Sequence, residues 1–434
     1  MNSKKFLFGI MLLAAVQGAK ADSEITFSAA GMGADKVHIV LPQGKVVGEG
    51  SSPIRFRLKG QYTGYCQLMM GRTQKLIYIE DGGKLDVKYN RDVPKGQSRY
   101  IYAGDGAAEN RHLEAYEHKT IFLKRGTITE AALAQALNDS VAARRSRIEA
   151  VQGLSASYRQ LELQRQRYAL LRTFYRFGGW TCAALPDVAT QMEEHLPLWM
   201  TAEYRSFMLD ALYAVGCREG GKAIHDYTKA ELQYVSQHVR DAVLADAMLS
   251  HVMNMYMDQR GADDAADLMQ IFRSAAKSAG VRRDIEDKHA AWDKVSKGKA
   301  LPDFAFSDIA GKQVKLSDFH GKYVLIDCWA TWCGPCKAQL PHLEKIEKRY
   351  ADKNIVFVSI SSDKDRQKWV DMVTEKKMGG VQLNEPRVDC EFFTLFQVNG
   401  IPRFILLGPD GTVYDAHLPR LSDPALSALL DQLL

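Results

Sequence analysis

The sequence has 434 residues, of which 46% are hydrophobic and 25% are charged, so it is long enough to bury more than one core. Its formal net charge is only +5. With charges this nearly balanced, the protein does not belong to the strongly basic class that binds nucleic acid through electrostatics. No nucleic-acid partner is therefore expected.

The N-terminus predicts a secretory signal peptide over residues 1–21. Two lysines precede an apolar stretch at residues 6–16, and the small-x-small sequence Ala19-Lys20-Ala21 follows it. Eleven apolar residues are too few for a membrane span, which needs about 20. We therefore expect an exported, periplasmic protein of the cell envelope, cleaved before Asp22. Cleavage would lower the formal charge from +5 to +2.

Residues 22–108 form short runs in which apolar and polar side chains alternate, with glycines between the runs. Examples are residues 54–58 and residues 76–79. Alternation with a period of two is typical of strands with one buried face. This pattern predicts a small antiparallel β-domain, either a sandwich or a barrel.

Residues 109–297 are rich in alanine, leucine, glutamine and arginine, which predicts an α-helical domain. Its methionine cluster at 248, 253, 255 and 257 fits core packing, and a flexible partner surface or a soft-metal site is the alternative. Cys182 and Cys217 lie on helical segments, and a structural disulfide between them is left open. Motifs for a resident metal or cofactor are not apparent, so none is expected.

Residues 298–434 alternate predicted strands and helices. An apolar run at 323–329 predicts a buried strand that leads into Cys333-Gly334-Pro335-Cys336 and a helix. The other predicted elements are a hairpin over 301–316, a strand over 355–360, a hairpin over 403–416, and helices over 334–350, 365–377, 391–397 and from 423 onward. Together they predict a mixed central sheet flanked by helices.

The two cysteines of this motif stand where a strand ends and a helix begins. Two cysteines separated by two residues can close a disulfide within one helical turn. The first N–H groups of a helix have no internal partner and carry partial positive charge, which favours a thiolate over a thiol. Half of a zinc site is the competing interpretation, but a second cysteine pair at workable spacing is not nearby.

The segment Asp327–Lys337, together with Gly400-Ile401-Pro402, resembles the thioredoxin family. The preceding hairpin and Thr331-Trp332 resemble the exported TlpA/ResA-like branch of that family. The resemblance covers residues 298–434. The overall prediction is a multidomain α+β chain with an N-terminal antiparallel β-domain, a middle α-helical domain and a C-terminal thioredoxin-like α/β domain.

This resemblance implies roles for individual residues. Cys333 corresponds to the attacking cysteine, and Cys336 to the buried resolving cysteine. Asp327 corresponds to a buried carboxylate that accepts the proton of Cys336, although it could instead cap a neighbouring strand or bind a lysine. Pro402 corresponds to a cis-proline opposite the disulfide, and the backbone of Ile401 would pair with an extended substrate.

Trp332 and Trp329 correspond to active-site tryptophans, one at the rim and one packed beneath, with core packing as the alternative for both. Two positions depart from the pattern. Gln339 stands where many relatives carry glutamate, which places more of the proton transfer on Asp327. Arg403 stands where threonine is common; it could stabilise a thiolate or select acidic partners, or simply point into water.

We therefore expect a thiol-disulfide oxidoreductase that acts on protein disulfides, and the intervening Gly-Pro favours reduction. The alternatives are a client-binding envelope protein and a disulfide isomerase whose N-terminal domains dominate function. A membrane electron donor is implied by resemblance only. Cys390, 12 residues before Pro402, is a weaker candidate for a third redox group. The sequence does not indicate the oligomeric state.

Overall fold

A computed structural model describes residues 22–30, 35–42, 46–60, 62–116, 130–177, 188–387 and 389–434. The chain divides into two compact units, one ending at Ala211 and the other beginning at Leu212. The predicted signal peptide and Cys182 lie outside the described residues. The predicted domain boundaries after residues 108 and 297 stay predictions.

The first unit begins with two four-stranded sheets, in the orders β4-β1-β7-β8 and β3-β2-β5-β6. Their apolar side chains, among them Phe27, Ile39 and Leu68, form one buried core. The predicted β-domain is therefore confirmed. One pairing differs from the antiparallel pattern, since β1 runs parallel to β7. The strands are β1 Ser23–Ala30, β2 Val37–Val40, β3 Val46–Gly50, β4 Ile54–Leu58, β5 Gly64–Met70, β6 Thr73–Ile79, β7 Lys84–Asn90 and β8 Tyr100–Gly104.

Helices follow the strands. They are α1 Ala107–Tyr116, α2 Glu130–Glu149, α3 Ala156–Phe177 and α4 Ala202–Gly220, the last of which crosses the boundary between the units. Glu162 of α3 is fully buried, and Arg165 pairs with it at 2.7 Å. The hydroxyl of Tyr65 in β5 donates to the same carboxylate at 3.0 Å. These contacts satisfy a charge that would otherwise be costly to bury, and they hold α3 against the second sheet.

The second unit continues with α5 Ile224–His238, α6 Ala242–Arg260, α7 Ala266–Ala275 and α8 Ala279–Asp293. The Asp241 carboxylate caps α6 by accepting from the N–H groups of Val243 and Leu244 at 2.9 Å each. Met248, Met253 and Met257 are buried in α6, which agrees with core packing, whereas Met255 is 45% exposed. Within the described ranges, we find no helix with the length and hydropathy of a membrane span.

A seven-stranded sheet in the order β10-β9-β13-β12-β11-β14-β15 completes the second unit. Strands β11, β12 and β13 are parallel, and their neighbours on either side are antiparallel. The strands are β9 Ala305–Asp308, β10 Gln313–Lys315, β11 Tyr323–Trp329, β12 Ile355–Ser361, β13 Val381–Asn384, β14 Arg403–Leu407 and β15 Val413–Asp415. The helices are α9 Gly334–Arg349, α10 Arg366–Glu375, α11 Glu391–Leu395 and α12 Pro424–Leu433.

These elements agree closely with the predicted order. Both predicted hairpins are present, and α9 contains Pro341 in its interior, as the sequence indicates. The prediction omits β13, which has only four residues, two of them polar. A strand this short becomes recognisable only when its pairing with β12 and β9 is known.

Trp292 joins α8 to the sheet of the second unit. Its side chain is 1% exposed, and its ring lies 4.5 Å from the ring of His417, which follows β15. The segment after α8 also pairs with the edge strand β15, since the N–H of Val413 donates to the carbonyl oxygen of Lys299 at 2.9 Å. Helix α8 is therefore packed against the sheet rather than joined to it by a free linker.

We predict that Trp292→Ala lowers the free energy of unfolding of the second unit by about 3–5 kcal/mol, because it leaves a cavity under α8. Trp332→Ala is the matched control, since the Trp332 side chain is 67% exposed. Denaturant titration of both variants measures the difference. Equal losses of stability would contradict the packing described for Trp292.

Candidate functional site

The two cysteines of the motif lie directly after β11, where α9 begins. They form a disulfide with an S–S distance of 2.01 Å. Cys333 is the N-cap of α9 and Cys336 lies in its first turn, and both are buried. The sequence Cys333-Gly334-Pro335-Cys336 produces this geometry because proline is well tolerated at the first turn of a helix.

The N-terminal end of α9 is directed at the sulfur of Cys333. The N–H of Cys336 donates to Cys333 Sγ at 3.1 Å, and Pro335 has no N–H to compete for it. The N–H of Lys337 donates to the carbonyl of Cys333 at 3.1 Å. A sulfur in this position gains from the hydrogen bond and from the positive end of the helix dipole, both of which favour the thiolate after reduction.

The loop before β14 brings Ile401 and Pro402 to the same sulfur. The Ile401–Pro402 peptide bond is cis, as the resemblance implies. The carbonyl oxygen of Ile401 lies 3.7 Å from Cys333 Sγ. Antiparallel pairing of Arg403 with Cys328 in β11 fixes this approach, so residues nearly 70 positions apart in sequence share one site.

The two tryptophans differ in exposure. Trp332, which precedes Cys333 in sequence, is largely exposed. Trp329 is fully buried, and it shares an apolar cluster with both cysteines and with Trp369 of α10. Its surroundings are those of a core residue beneath the site.

Asp327 lies in the middle of β11 and is only 3% exposed. Side chains alternate along a strand, so Asp327 faces the same side as Leu325 and Trp329. Leu325 packs with Leu343 of α9, and Trp329 packs with Cys336, which places Asp327 on the face that α9 covers.

Burial, together with the smaller effect of the nearby Glu347 carboxylate, raises the pKa of Asp327 to about 7. Within the described part of the chain, Asp327 Oδ1 has no hydrogen-bond partner. The alternative in which a lysine binds this carboxylate therefore has no support among those residues. An acid with a pKa near neutrality can both accept and release a proton at physiological pH.

The two departures from the family pattern have structural explanations. Gln339 is buried, and its Oε1 accepts from the N–H of Ser422 at 3.1 Å, which ties α9 to the segment before α12. The Arg403 guanidinium lies 5.6 Å from the ring of Trp292, and burial lowers its pKa. The reading in which Arg403 points into water is therefore wrong, because the side chain packs against α8.

Sequence analysis missed Asp363, which is buried two residues after the end of β12 and accepts hydrogen bonds from Thr331 in the active-site loop. Thr331 and Asp363 are 32 residues apart, so their contact has no local signal. The available signal is that both residues lie shortly after a predicted strand. The carboxyl ends of neighbouring parallel strands meet at one edge of a sheet.

Cys66, Cys328 and Cys390 have the buried surroundings of unreactive cysteines. Burial raises the pKa of Cys66, Cys328 and Cys390. Cys390 caps α11, where its Sγ accepts from the N–H of Phe393 at 3.5 Å. The suggested redox role of Cys390 gains no support from this environment. Pairing of Cys217 with Cys182 stays a prediction.

Within the described ranges, clusters of three or more histidine, cysteine, aspartate or glutamate side chains that could hold a metal ion are absent.

Comparison with known proteins gives one consistent family. Residues 321–413 match the model of a thioredoxin-like family. The thioredoxin-like protein YneN of Bacillus subtilis is 29% identical over 140 residues, which is 32% of this chain and 80% of that protein. The thiol-disulfide oxidoreductase ResA of Bacillus cereus is 28% identical over 124 residues, which is 28% of this chain and 69% of ResA.

Solved structures also match this part of the chain. The solution structure of a candidate thiol-disulfide oxidoreductase from Bacteroides vulgatus is 45% identical. The match covers 32% of this chain and 90% of that one, with a TM-score of 0.30. The C-terminal part of the chain therefore contains a thioredoxin-like domain, and the relatives it resembles include thiol-disulfide oxidoreductases.

Proposed function

We propose that this protein is an exported reductase of protein disulfides that works by thiol exchange through Cys333 and Cys336. The observation that carries the proposal is the placement of Cys333 at the N-cap of α9, with the N–H of Cys336 directed at its sulfur. This arrangement makes a reactive thiolate, and the second cysteine stands one helical turn away to complete the exchange.

In the first step, the Cys333 thiolate attacks one sulfur of the substrate disulfide. A bond forms between Cys333 Sγ and that sulfur, and the substrate S–S bond breaks. The other substrate sulfur leaves as a thiolate and takes up a proton from solvent. The product is a mixed disulfide between the protein and its substrate.

In the second step, Cys336 attacks Cys333 Sγ and closes the intramolecular disulfide, which has the bonding seen in this structure. The substrate sulfur that was bonded to Cys333 leaves as a thiolate and is protonated. Over both steps the substrate gains two electrons and the protein dithiol loses two. Asp327 accepts the Cys336 proton, a role that its pKa of about 7 and its position beneath α9 support.

Substrate recognition in this proposal uses the surface around the disulfide. The Ile401 backbone next to cis-Pro402 would pair with an extended peptide, which brings a substrate cysteine towards Cys333. Trp332 would cover the apolar side of that peptide. Main-chain pairing accepts many sequences, so this arrangement suits a reductase with several protein substrates.

A reductase must be recharged by another dithiol after each turnover. We propose a thiol donor in the membrane of the cell envelope, because the N-terminal sequence favours export and the resemblance to reducing members of the family implies a membrane partner. The Gly334-Pro335 sequence between the cysteines favours reduction over oxidation, by resemblance to the reducing members of the family.

We predict that Cys333→Ser abolishes reduction of insulin by the dithiothreitol-recharged protein, because the attacking sulfur is lost. Cys336→Ala should instead accumulate mixed disulfides, since the second step cannot occur. Cys390→Ser is the matched control, because serine is also a good N-cap and this thiol lies outside the pair. Insulin reduction by Cys333→Ser at the rate of the control would refute the proposal.

A second prediction concerns Asp327 and the stability of the oxidised protein. The pKa of this carboxyl is about 7 when folded and about 3.9 when unfolded, so the folded state binds the proton more tightly between these values. Stability of the wild type should therefore fall as pH rises from about 4 to about 7. Asp327→Asn removes this dependence.

At pH 8 the Asp327→Asn variant should be more stable than the wild type by up to about 4 kcal/mol, and the gain should vanish near pH 4. Urea titration of both oxidised proteins across this range measures the difference. Glu344→Gln, on the exposed face of α9, is a control with little expected change. A gain that does not vary with pH would show that Asp327 has no raised pKa.

A further inference from the structure

The carboxylate of Asp363 is anchored beneath the loop that precedes Cys333. Asp363 lies two residues after the end of β12, and its side chain is buried, with 3% exposed. The N–H of Thr331 donates to Oδ2 at 2.8 Å, and the hydroxyl of Thr331 donates to Oδ1 at 2.7 Å. One carboxylate therefore holds both the backbone and the side chain of Thr331.

Neighbouring strands hold Asp363 itself in place. The Ser361 hydroxyl donates to Asp363 Oδ2 at 2.6 Å and accepts from the Asp363 N–H at 3.0 Å. The side-chain amide of Asn384 in β13 donates to the carbonyls of Ser361 and Asp363 at 3.1 and 3.0 Å. Residues of the sheet thus hold Asp363, and Asp363 holds the loop before Cys333.

A further hydrogen bond joins the segment after β12 to the end of β11, just before the loop. The N–H of Ser362 donates to the carbonyl of Trp329 at 2.9 Å, so the last residue of β11 is held as well. Cys333 follows Thr331 by two residues, and its own N–H donates to the carbonyl of Ala330 at 3.1 Å. The position of Cys333 Sγ relative to α9 therefore depends on where Thr331 is held.

The chemistry of these contacts explains why an aspartate stands here. The carboxylate acts only as an acceptor, and the three donors come from Thr331 and Ser361, which are neutral. Burying a carboxylate is costly unless its oxygens are satisfied. A shorter or apolar side chain would leave the N–H of Thr331 without its acceptor and would release the loop.

We propose that Asp363 is a positioning residue for the proposed thiol exchange, on which this inference rests. By holding Thr331, it keeps Cys333 Sγ aligned with the N–H of Cys336 and so keeps the Cys333 thiol acidic. Its negative charge has the opposite effect, because a nearby anion disfavours a thiolate. Positioning and charge therefore act on Cys333 in opposite directions, and the two contributions can be separated.

The test measures the pKa of Cys333 in the reduced protein, from the pH dependence of its alkylation by iodoacetamide. Asp363→Ala should raise this pKa by about one unit relative to the wild type, which lowers the thiolate fraction about tenfold below the pKa. Asp363→Asn should keep the wild-type value or lower it by a few tenths, because its side-chain oxygen can still accept from Thr331 and Ser361 while the opposing negative charge is removed.

Two further variants make the result interpretable. Thr331→Val removes one hydrogen bond at nearly constant volume, so it should raise the Cys333 pKa by less than Asp363→Ala, and it serves if that variant fails to fold. Asp365→Asn changes an exposed aspartate two residues away and should leave the pKa unchanged.

Two outcomes would overturn the inference. If Asp363→Ala and Asp363→Asn both lower the pKa of Cys333, the carboxylate acts through its charge. If folded Asp363→Ala or Thr331→Val melts at a lower temperature with an unchanged Cys333 pKa, the cluster is only structural. Neither outcome depends on the substrate, and a wild type that fails to reduce insulin would instead overturn the proposed function.

Discussion

The hydrogen bond from the N–H of Cys336 to Cys333 Sγ is the contact on which the rest of the site depends. It exists because β11 delivers the chain to the start of α9 with Cys333 as the N-cap and Pro335 in the first turn. A sulfur held there experiences the unsatisfied N–H groups and the dipole of a 16-residue helix.

The surrounding polar groups serve this contact in different ways. Asp327 lies beneath α9 with a raised pKa, where it can exchange a proton. Asp363 accepts hydrogen bonds from Thr331 and fixes the loop before the cysteine. Among the described residues, Asp327 Oδ1 has no hydrogen-bond partner, whereas both oxygens of Asp363 accept hydrogen bonds. This difference fits a proton-transfer role for Asp327 and a positioning role for Asp363.

Local sequence was sufficient to predict the core of this site. The apolar run of β11, the cysteine spacing and the helical pattern of α9 are contiguous, and each has a period or a capping signal that can be read directly. Pro402 could be placed because its motif resembles a family in which the chain returns to the cysteines. The buried position of Asp327 followed from an acidic residue inside an apolar strand.

Contacts between distant segments could not be predicted in this way. Thr331 and Asp363 meet only because β11 and β12 are neighbouring parallel strands. Arg403 and Trp292 are more than 100 residues apart, and their contact requires α8 to pack against the sheet. The parallel pairing of β1 with β7 is equally invisible to a pattern that reports only which face of a strand is buried.

The measurement that tests this account most directly is the ionisation of Cys333 in the reduced wild-type protein, followed by thiolate absorbance at increasing pH. A helix-terminal sulfur that accepts a backbone hydrogen bond should have a pKa at least about one unit below the value of roughly 8.5 for free cysteine. A pKa at or above that of free cysteine would contradict the account, because α9 would then contribute nothing to the reactivity of the site.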